Sequence, residues 1–155
     1  KPLALAESCT GGLVGKWLTD LPGASDVFWG GLTVYSNAAK RGLLRVPRRL
    51  LLRRGAVSAE AAEAMARQLL RRTPADVGLA VTGIAGPTGG SAEKPVGTVW
   101  IAAAARGGGR LCRSFRFGGA RDAVRRRAAV AAMLLAEGLL VGVDSAALDA
   151  LGSGG

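Results

Sequence analysis

The stretch Glu7-Ser8-Cys9-Thr10-Gly11-Gly12 gathers a carboxylate, two hydroxyls and a thiol where the apolar run Leu3 to Ala6 gives way to helical spacing. A hydroxyl at such a strand-to-helix turn faces the unpaired N–H groups of the first helical turn, and the helix dipole favours an anion there. That arrangement suits a serine nucleophile with an oxyanion hole beside it. It is equally that of an ordinary N-cap, the commoner use of Ser or Thr before a helix. Tyr35-Ser36-Asn37-Ala38-Ala39-Lys40 brings a tyrosine to a strand end and a lysine to the next turn. A lysine takes a proton from serine only if burial or a neighbouring cation lowers its pKa. The chain contains no histidine, so His-based triads and the usual zinc ligands are excluded and Lys40 is the best available base. A solvated helix lysine is the plain alternative.

A third group is the loop Gly83 to Gly97, whose segment Gly83-Ile84-Ala85-Gly86-Pro87-Thr88-Gly89-Gly90-Ser91 puts glycine where backbone must approach something closely or take positive φ. No Gly-Lys-Thr/Ser follows, so it is not a Walker loop. By pattern alone it is a functional or a mobile loop. Arg121 and Arg125 stand one turn apart near the start of the last helical segment, in reach of a phosphate or facing water; Arg126 and Arg127 belong to the solvated face. Cys9 and Cys112 form neither a disulfide framework nor a C-x-x-C metal site and are expected to be reduced thiols, at least one partly buried.

These groups are carried by alternating strand-like and helix-like segments, the pattern of an α/β layered fold. A strand over Leu3 to Ala6 leads to a helix starting near Thr10 or Gly11, with Leu13, Val14, Trp17, Leu18 and Leu21 at helical spacing. Val27 to Tyr35 is predicted as a strand weakened by Gly30-Gly31. Ser36 or Asn37 caps a short helix carrying Lys40, and Pro47 opens another that Gly55 closes. Ser58 caps Ala59 to Arg72, with Glu60 favourable in the first turn. Val77 to Thr82, Thr98 to Ala104 and Leu111 to Phe117 complete the strands, the last two joined by a hairpin at Arg106-Gly107-Gly108-Gly109. A final helix runs from Ala120 to about Leu140. The expected architecture is a three-layer α/β/α sandwich on a mixed, mostly parallel sheet, with ligands bound beyond the carboxyl ends of the strands. Residues 1–150 are expected to form one domain and 151–155 a flexible tail.

Of 155 residues nearly half are apolar and 21% charged, a globular composition. No apolar run approaches the ~20 residues of a membrane span, and no signal segment is visible, so a soluble cytoplasmic protein is expected. The abrupt start at Lys1-Pro2 leads us to expect preceding sequence, a helix or a whole upstream domain. The net charge of +10 invites a nucleic-acid reading. Seventeen of the 21 basic residues are arginine, though, scattered on helix faces without stacking aromatics between them. Solvated charge that also attracts a phosphorylated small substrate is the better reading, and nucleic acid is not the expected partner.

Six blocks carry a resemblance to a known family: Ala6 to Gly12, Val34 to Lys40, Gly55 to Ser58, Thr82 to Pro87, Glu93 to Val99 and Arg121 to Arg125. In this order they resemble the CinA C-terminal domain family of bacterial nucleotide deamidases, from about Leu3 to Leu140. The resemblance implies an α/β/α domain that converts nicotinamide mononucleotide to nicotinate mononucleotide and ammonia, without a metal or other cofactor. It assigns the nucleophile to Ser8 and the general base to Lys40, with Tyr35 beside them. The substrate is expected against Thr10, Gly11, Gly12, Gly83, Ala85, Gly86 and Arg121, with oxyanion donors among the N–H groups from Thr10 to Gly12. A homo-oligomer, a dimer, is expected. The competing reading is a catalytically silent nucleotide-binding domain or an accessory domain for DNA uptake. Intact Ser8, Tyr35 and Lys40 favour the enzyme.

Overall fold

The computed structural model describes residues 1–142; the expected tail at 151–155 lies outside the described residues. Leu3–Glu7 forms strand β1, buried on both faces as a central strand should be. Helix α1, Leu13–Thr19, and a 3-10 turn at Ala24–Asp26 return the chain to β2, Phe28–Thr33. Three helices follow: α2 at Asn37–Gly42, α3 at Arg48–Arg54 and α4 at Ala59–Arg72. Strands β3 (Val77–Gly83), β4 (Thr98–Ala105) and β5 (Arg110–Arg116) lead to the long helix α5, Arg121–Val141.

The sheet order is β2-β1-β3-β4-β5. Because strand side chains alternate between faces, the sheet has two different sides. Leu5, Leu79, Val81, Val99 and Ile101 face a core shared with Val14 of α1 and with Ala128, Ala132 and Leu135 of α5. Ala4, Ala6, Ala80, Ala102 and Ala104 face the other core, filled by Met65, Ala66 and Leu69 of α4 and by Leu44 and Val46. Small strand residues let α4 lie close. A Cβ built on Gly78 of β3 would stand 2.4 Å from the Ala66 carbonyl oxygen, so only glycine fits beneath that helix. The layers are therefore α/β/α, as expected.

The expectation of a mostly parallel sheet is corrected. β1 pairs in parallel with β2 and β3 over five residues each, whereas β3–β4 and β4–β5 are antiparallel over seven each. The reason lies in the loop after β3. Ile84 N–H donates to Thr98 O at 2.9 Å and Gly97 N–H to Ile84 O at 2.7 Å, so the chain re-enters the sheet at the end where it left. It must then run backwards beside β3, and the tight turn before Arg110 reverses it again.

Helix limits follow local chemistry closely. Ser36 Oγ accepts the Ala39 N–H at 3.0 Å and Ser58 Oγ the Ala61 N–H at 3.2 Å, both as N-caps. Part of the positive charge serves the fold. Arg72 donates to Leu43 O, Arg106 to Leu70, Thr73 and Ala75 carbonyls, and Arg127 to Gly118 O. Among the described residues no helix is long and apolar enough to cross a membrane.

Candidate active site

The end of β1 lies between its two parallel neighbours. Val34 N–H donates to Glu7 O at 2.8 Å on one side, and Ser8 N–H donates to Val81 O at 3.0 Å on the other. Beyond Ser8 the chain turns at once, with Gly11 N–H bonded to Ser8 O at 3.0 Å. Gly11 and Gly12 follow at φ +62° and +95°, and two consecutive left-handed residues explain the glycine pair. Helix α1 begins only at Leu13, later than the expected Thr10 or Gly11.

The N-terminus of α1 holds an anion, but a built-in one. Glu7, which is buried, accepts from Gly12 N–H (3.0 Å) and Val14 N–H (3.1 Å) through Oε2 and from Gly15 N–H (2.9 Å) through Oε1. This corrects the sequence-based oxyanion hole: the Gly12 N–H belongs to Glu7 and the Gly11 N–H to Ser8 O. Neither Ser8 nor Thr10 caps the helix. Sequence reasoning missed the role of Glu7, although an acid closing an apolar strand just ahead of a glycine-led helix is a visible signal. Replacing Glu7 with alanine is expected to destabilise the fold by about 2–3 kcal/mol, since charge-assisted bonds are lost and N–H groups are left without acceptors. Urea denaturation measures this, with Glu7→Gln falling between; an unchanged midpoint for Glu7→Ala would remove the clamp from the account.

Lys40 points inward from α2 and is only 1% exposed, among the largest fully buried side chains of the fold. Its Nζ lies 2.9 Å from Ser8 Oγ, 2.8 Å from Val34 O and 3.4 Å from Tyr35 O. No carboxylate pairs with it among the described residues. Burial therefore holds its pKa below the ordinary 10.5, partly opposed by the neighbouring Cys9. A neutral amine has two N–H bonds and one lone pair. Nζ donates to the Ser8 oxygen and to both carbonyls; on losing a proton it keeps two N–H bonds for the carbonyls and turns a lone pair to the Ser8 hydroxyl. Cys9, beside Ser8, is buried, and its thiol is pushed up to about 11, chiefly by that burial. The thiol is thus protonated near neutrality, and no thiolate–ammonium pair forms.

The other expected site residues divide into three sets. Thr10 is fully buried, and its carbonyl accepts from Arg125 Nη2 at 2.8 Å, while its Oγ1 has no partner among the described residues. Arg125 also flanks Gly11, where an added Cβ would meet Nη2 at 3.4 Å. Tyr35 sends its carbonyl to Lys40 but its phenol elsewhere: the residue is 57% exposed, and Oη accepts from Arg121 Nη2 at 2.6 Å. The Arg121 Nη1 donates to Gly86 O at 2.7 Å, joining two more of the expected residues. Gly83 and Gly86 have packing reasons to be glycine. A Cβ at Gly83 would approach Val99 Cγ2 to 2.7 Å, and one at Gly86 would approach Val96 Cγ1 to 2.5 Å. Ala85 is buried in the core shared with α1 and α5. The loop beyond is tied down, with Lys94 Nζ on Arg54 O at 2.8 Å and Ser91 Oγ bonded to Glu93. Among the described residues no group of three or more Cys, Asp or Glu is placed to hold a metal ion.

Comparison with known proteins matches these features to one family. The family model for the CinA C-terminal domain matches residues 1–140. The chain is 56% identical over 131 residues to a CinA-like protein of Geobacter sulfurreducens, covering 84% of this chain and 32% of that protein. It is 52% identical over 148 residues to a putative competence-damage inducible protein of Symbiobacterium thermophilum, covering 90% and 35% respectively. The chain thus spans about a third of the length of the curated relatives it matches. Among solved structures, the competence/damage inducible protein CihA of Agrobacterium tumefaciens superposes with a TM-score of 0.83 at 43% identity, over 90% of this chain and 84% of that one. A competence-damaged protein (CinA) superfamily protein of Klebsiella pneumoniae does so with a TM-score of 0.85 at 35% identity, over 90% and 88%.

Proposed function

The chain belongs to the CinA C-terminal domain family, and from that premise we propose that residues 1–150 act as a single amidohydrolase domain converting nicotinamide mononucleotide to nicotinate mononucleotide and ammonia. One observation carries the reading. A buried lysine without a carboxylate partner lies 2.9 Å from a serine at a strand end, which is the geometry of an activated nucleophile where histidine is absent.

In the proposed reaction, Lys40 takes the Ser8 proton as Oγ attacks the carboxamide carbon. The carbonyl π electrons move to oxygen, giving a tetrahedral oxyanion. The donors for it are the N–H groups of Cys9 and Thr10, which have no backbone carbonyl acceptor among the described residues. Collapse of the intermediate breaks the C–N bond, and the Lys40 ammonium returns its proton to the leaving nitrogen as ammonia departs. Water, deprotonated by Lys40, then attacks the ester and releases nicotinate mononucleotide and free Ser8. Arg121 and Arg125 lie beside this end of the sheet without carboxylate partners among the described residues and supply positive charge for the substrate phosphate. This reading places the protein in the cytoplasm, in pyridine nucleotide salvage, as a homo-oligomer, most simply a dimer.

The test is direct. Purified protein incubated with nicotinamide mononucleotide is expected to release ammonia and nicotinate mononucleotide in equal amounts. Absence of ammonia together with tight duplex-DNA binding at physiological salt would replace this reading with the accessory-domain one.

A further inference from the structure

Ser8 is only 7% exposed, so little of the nucleophilic residue reaches solvent in the resting protein. Its neighbours in the sheet show what lies across it. β1 sits between β2 and β3. Val34, bonded to Glu7 O, marks the end of the β2 side, and Val81, bonded to the Ser8 N–H, marks the β3 side. Tyr35 is one residue beyond the first mark and Gly86 five beyond the second. The Arg121 guanidinium donates to both, to the Tyr35 phenol at 2.6 Å and to Gly86 O at 2.7 Å. A group bonded on both flanks of β1, beyond its carboxyl end, bridges the end of the strand at which Ser8 stands. The three partners come from three separate parts of the chain, the segments after β2 and after β3 and the start of α5.

We propose that the Tyr35–Arg121–Gly86 bridge is a strap closed over Ser8, and that a substrate phosphate opens it by taking the Arg121 guanidinium away from Tyr35. The acceptors it holds at rest are a neutral phenol and a neutral carbonyl. A phosphate offers the planar guanidinium two charged oxygens instead, the stronger and geometrically matched partner. Arg121 is exposed and has no carboxylate to keep it occupied among the described residues, so the exchange needs no ion pair to break. Tyr35 is itself 57% exposed, which leaves room for its ring to swing outward once released. Amides without an anionic group must break the bridge unaided. Arg121 and Tyr35 are thus specificity-determining residues, and the energy of binding the remote phosphate is spent on uncovering the nucleophile.

The inference rests on Ser8 being the attacking group, and its test reads Ser8 without using the nucleotide, so loss of deamidation and loss of the strap are separate outcomes. A small neutral fluorophosphonate is added to the intact protein, and covalent labelling of Ser8 is followed by mass spectrometry. The Ser8 oxygen bonds to phosphorus, fluoride leaves and Lys40 takes the proton. Native protein is expected to label slowly, and inorganic phosphate to accelerate labelling at least about tenfold over sodium chloride of equal ionic strength, the factor of one charge-assisted hydrogen bond. Arg121→Ala should label at the fast rate without phosphate and gain nothing from it. Tyr35→Phe, which keeps the Gly86 tether, should label at an intermediate rate and serves as the reading if Arg121→Ala fails to fold. Equal labelling of native protein and the variant read, or phosphate that leaves native labelling unchanged or slows it, overturns the strap.

Discussion

Replacing Ser8 with alanine is expected to abolish ammonia release, by roughly 10³-fold or more, while Cys9→Ala keeps most of it. The two side chains are consecutive, and a thiol is intrinsically the better nucleophile, so the choice rests on environment. Ser8 Oγ is 2.9 Å from the Lys40 amine, the proposed acceptor of its proton. Cys9 is buried, and with its thiol at about 11 only about one molecule in 10⁴ holds a thiolate at pH 7. Steady-state rates of both variants decide it, and Cys9 should resist alkylation by iodoacetamide at neutral pH. An active Ser8→Ala protein beside an inactive Cys9→Ala protein would transfer the role to the thiol.

Lys40→Arg is expected to be nearly as inactive as Lys40→Met. Guanidinium keeps its proton throughout the accessible range, so it cannot accept one from serine, and it is too wide for a fully buried site. The acid limb of the pH profile of kcat/KM should follow the Lys40 ionisation, activity falling as pH drops and the amine becomes charged. The same group predicts a stability signature. Between its lowered folded pKa and the ordinary 10.5, the unfolded chain binds a proton that the folded chain does not. Stability therefore rises with pH across that window, and Lys40→Met lacks this contribution. Denaturation free energies of the variant minus native should thus shift in favour of methionine as pH falls from 10.5 toward neutrality. The carbonyls of Val34 and Tyr35 lose their donor in the variant, a cost independent of pH. A native-like Lys40→Arg rate, or identical pH slopes in native protein and Lys40→Met, would show that the buried amine is not the neutral base.

The sequence by itself determined what depends on neighbours a few residues apart. Ser58 Oγ caps α4 through the N–H three residues on, and the helix runs from Ala59 to Arg72 as its spacing and cap imply. Pro47 and Gly55 bracket α3, and the glycine run before Arg110 turns the chain between two strands. The absence of histidine narrowed the base to a lysine before any fold was known. Family blocks then named Ser8 and Lys40. What only the tertiary structure decided involves groups far apart in the chain. Lys40 and Ser8 are 32 residues apart, and their contact, together with the burial that lowers the lysine, exists only once the folded chain carries Lys40 of α2 to the end of β1. Arg121 reaches a tyrosine 86 positions away, so no local spacing could show that the phenol belongs to the bridge and not to the lysine. Strand direction after β3 was likewise decided by a loop whose two ends bond to each other. The helix N-terminus shows the contrast within a few residues. Glu7, Ser8 and Thr10 all suit it chemically, but Ser8 is held between two flanking strands and turned toward Lys40, which leaves the Glu7 carboxylate to take the free N–H groups of α1.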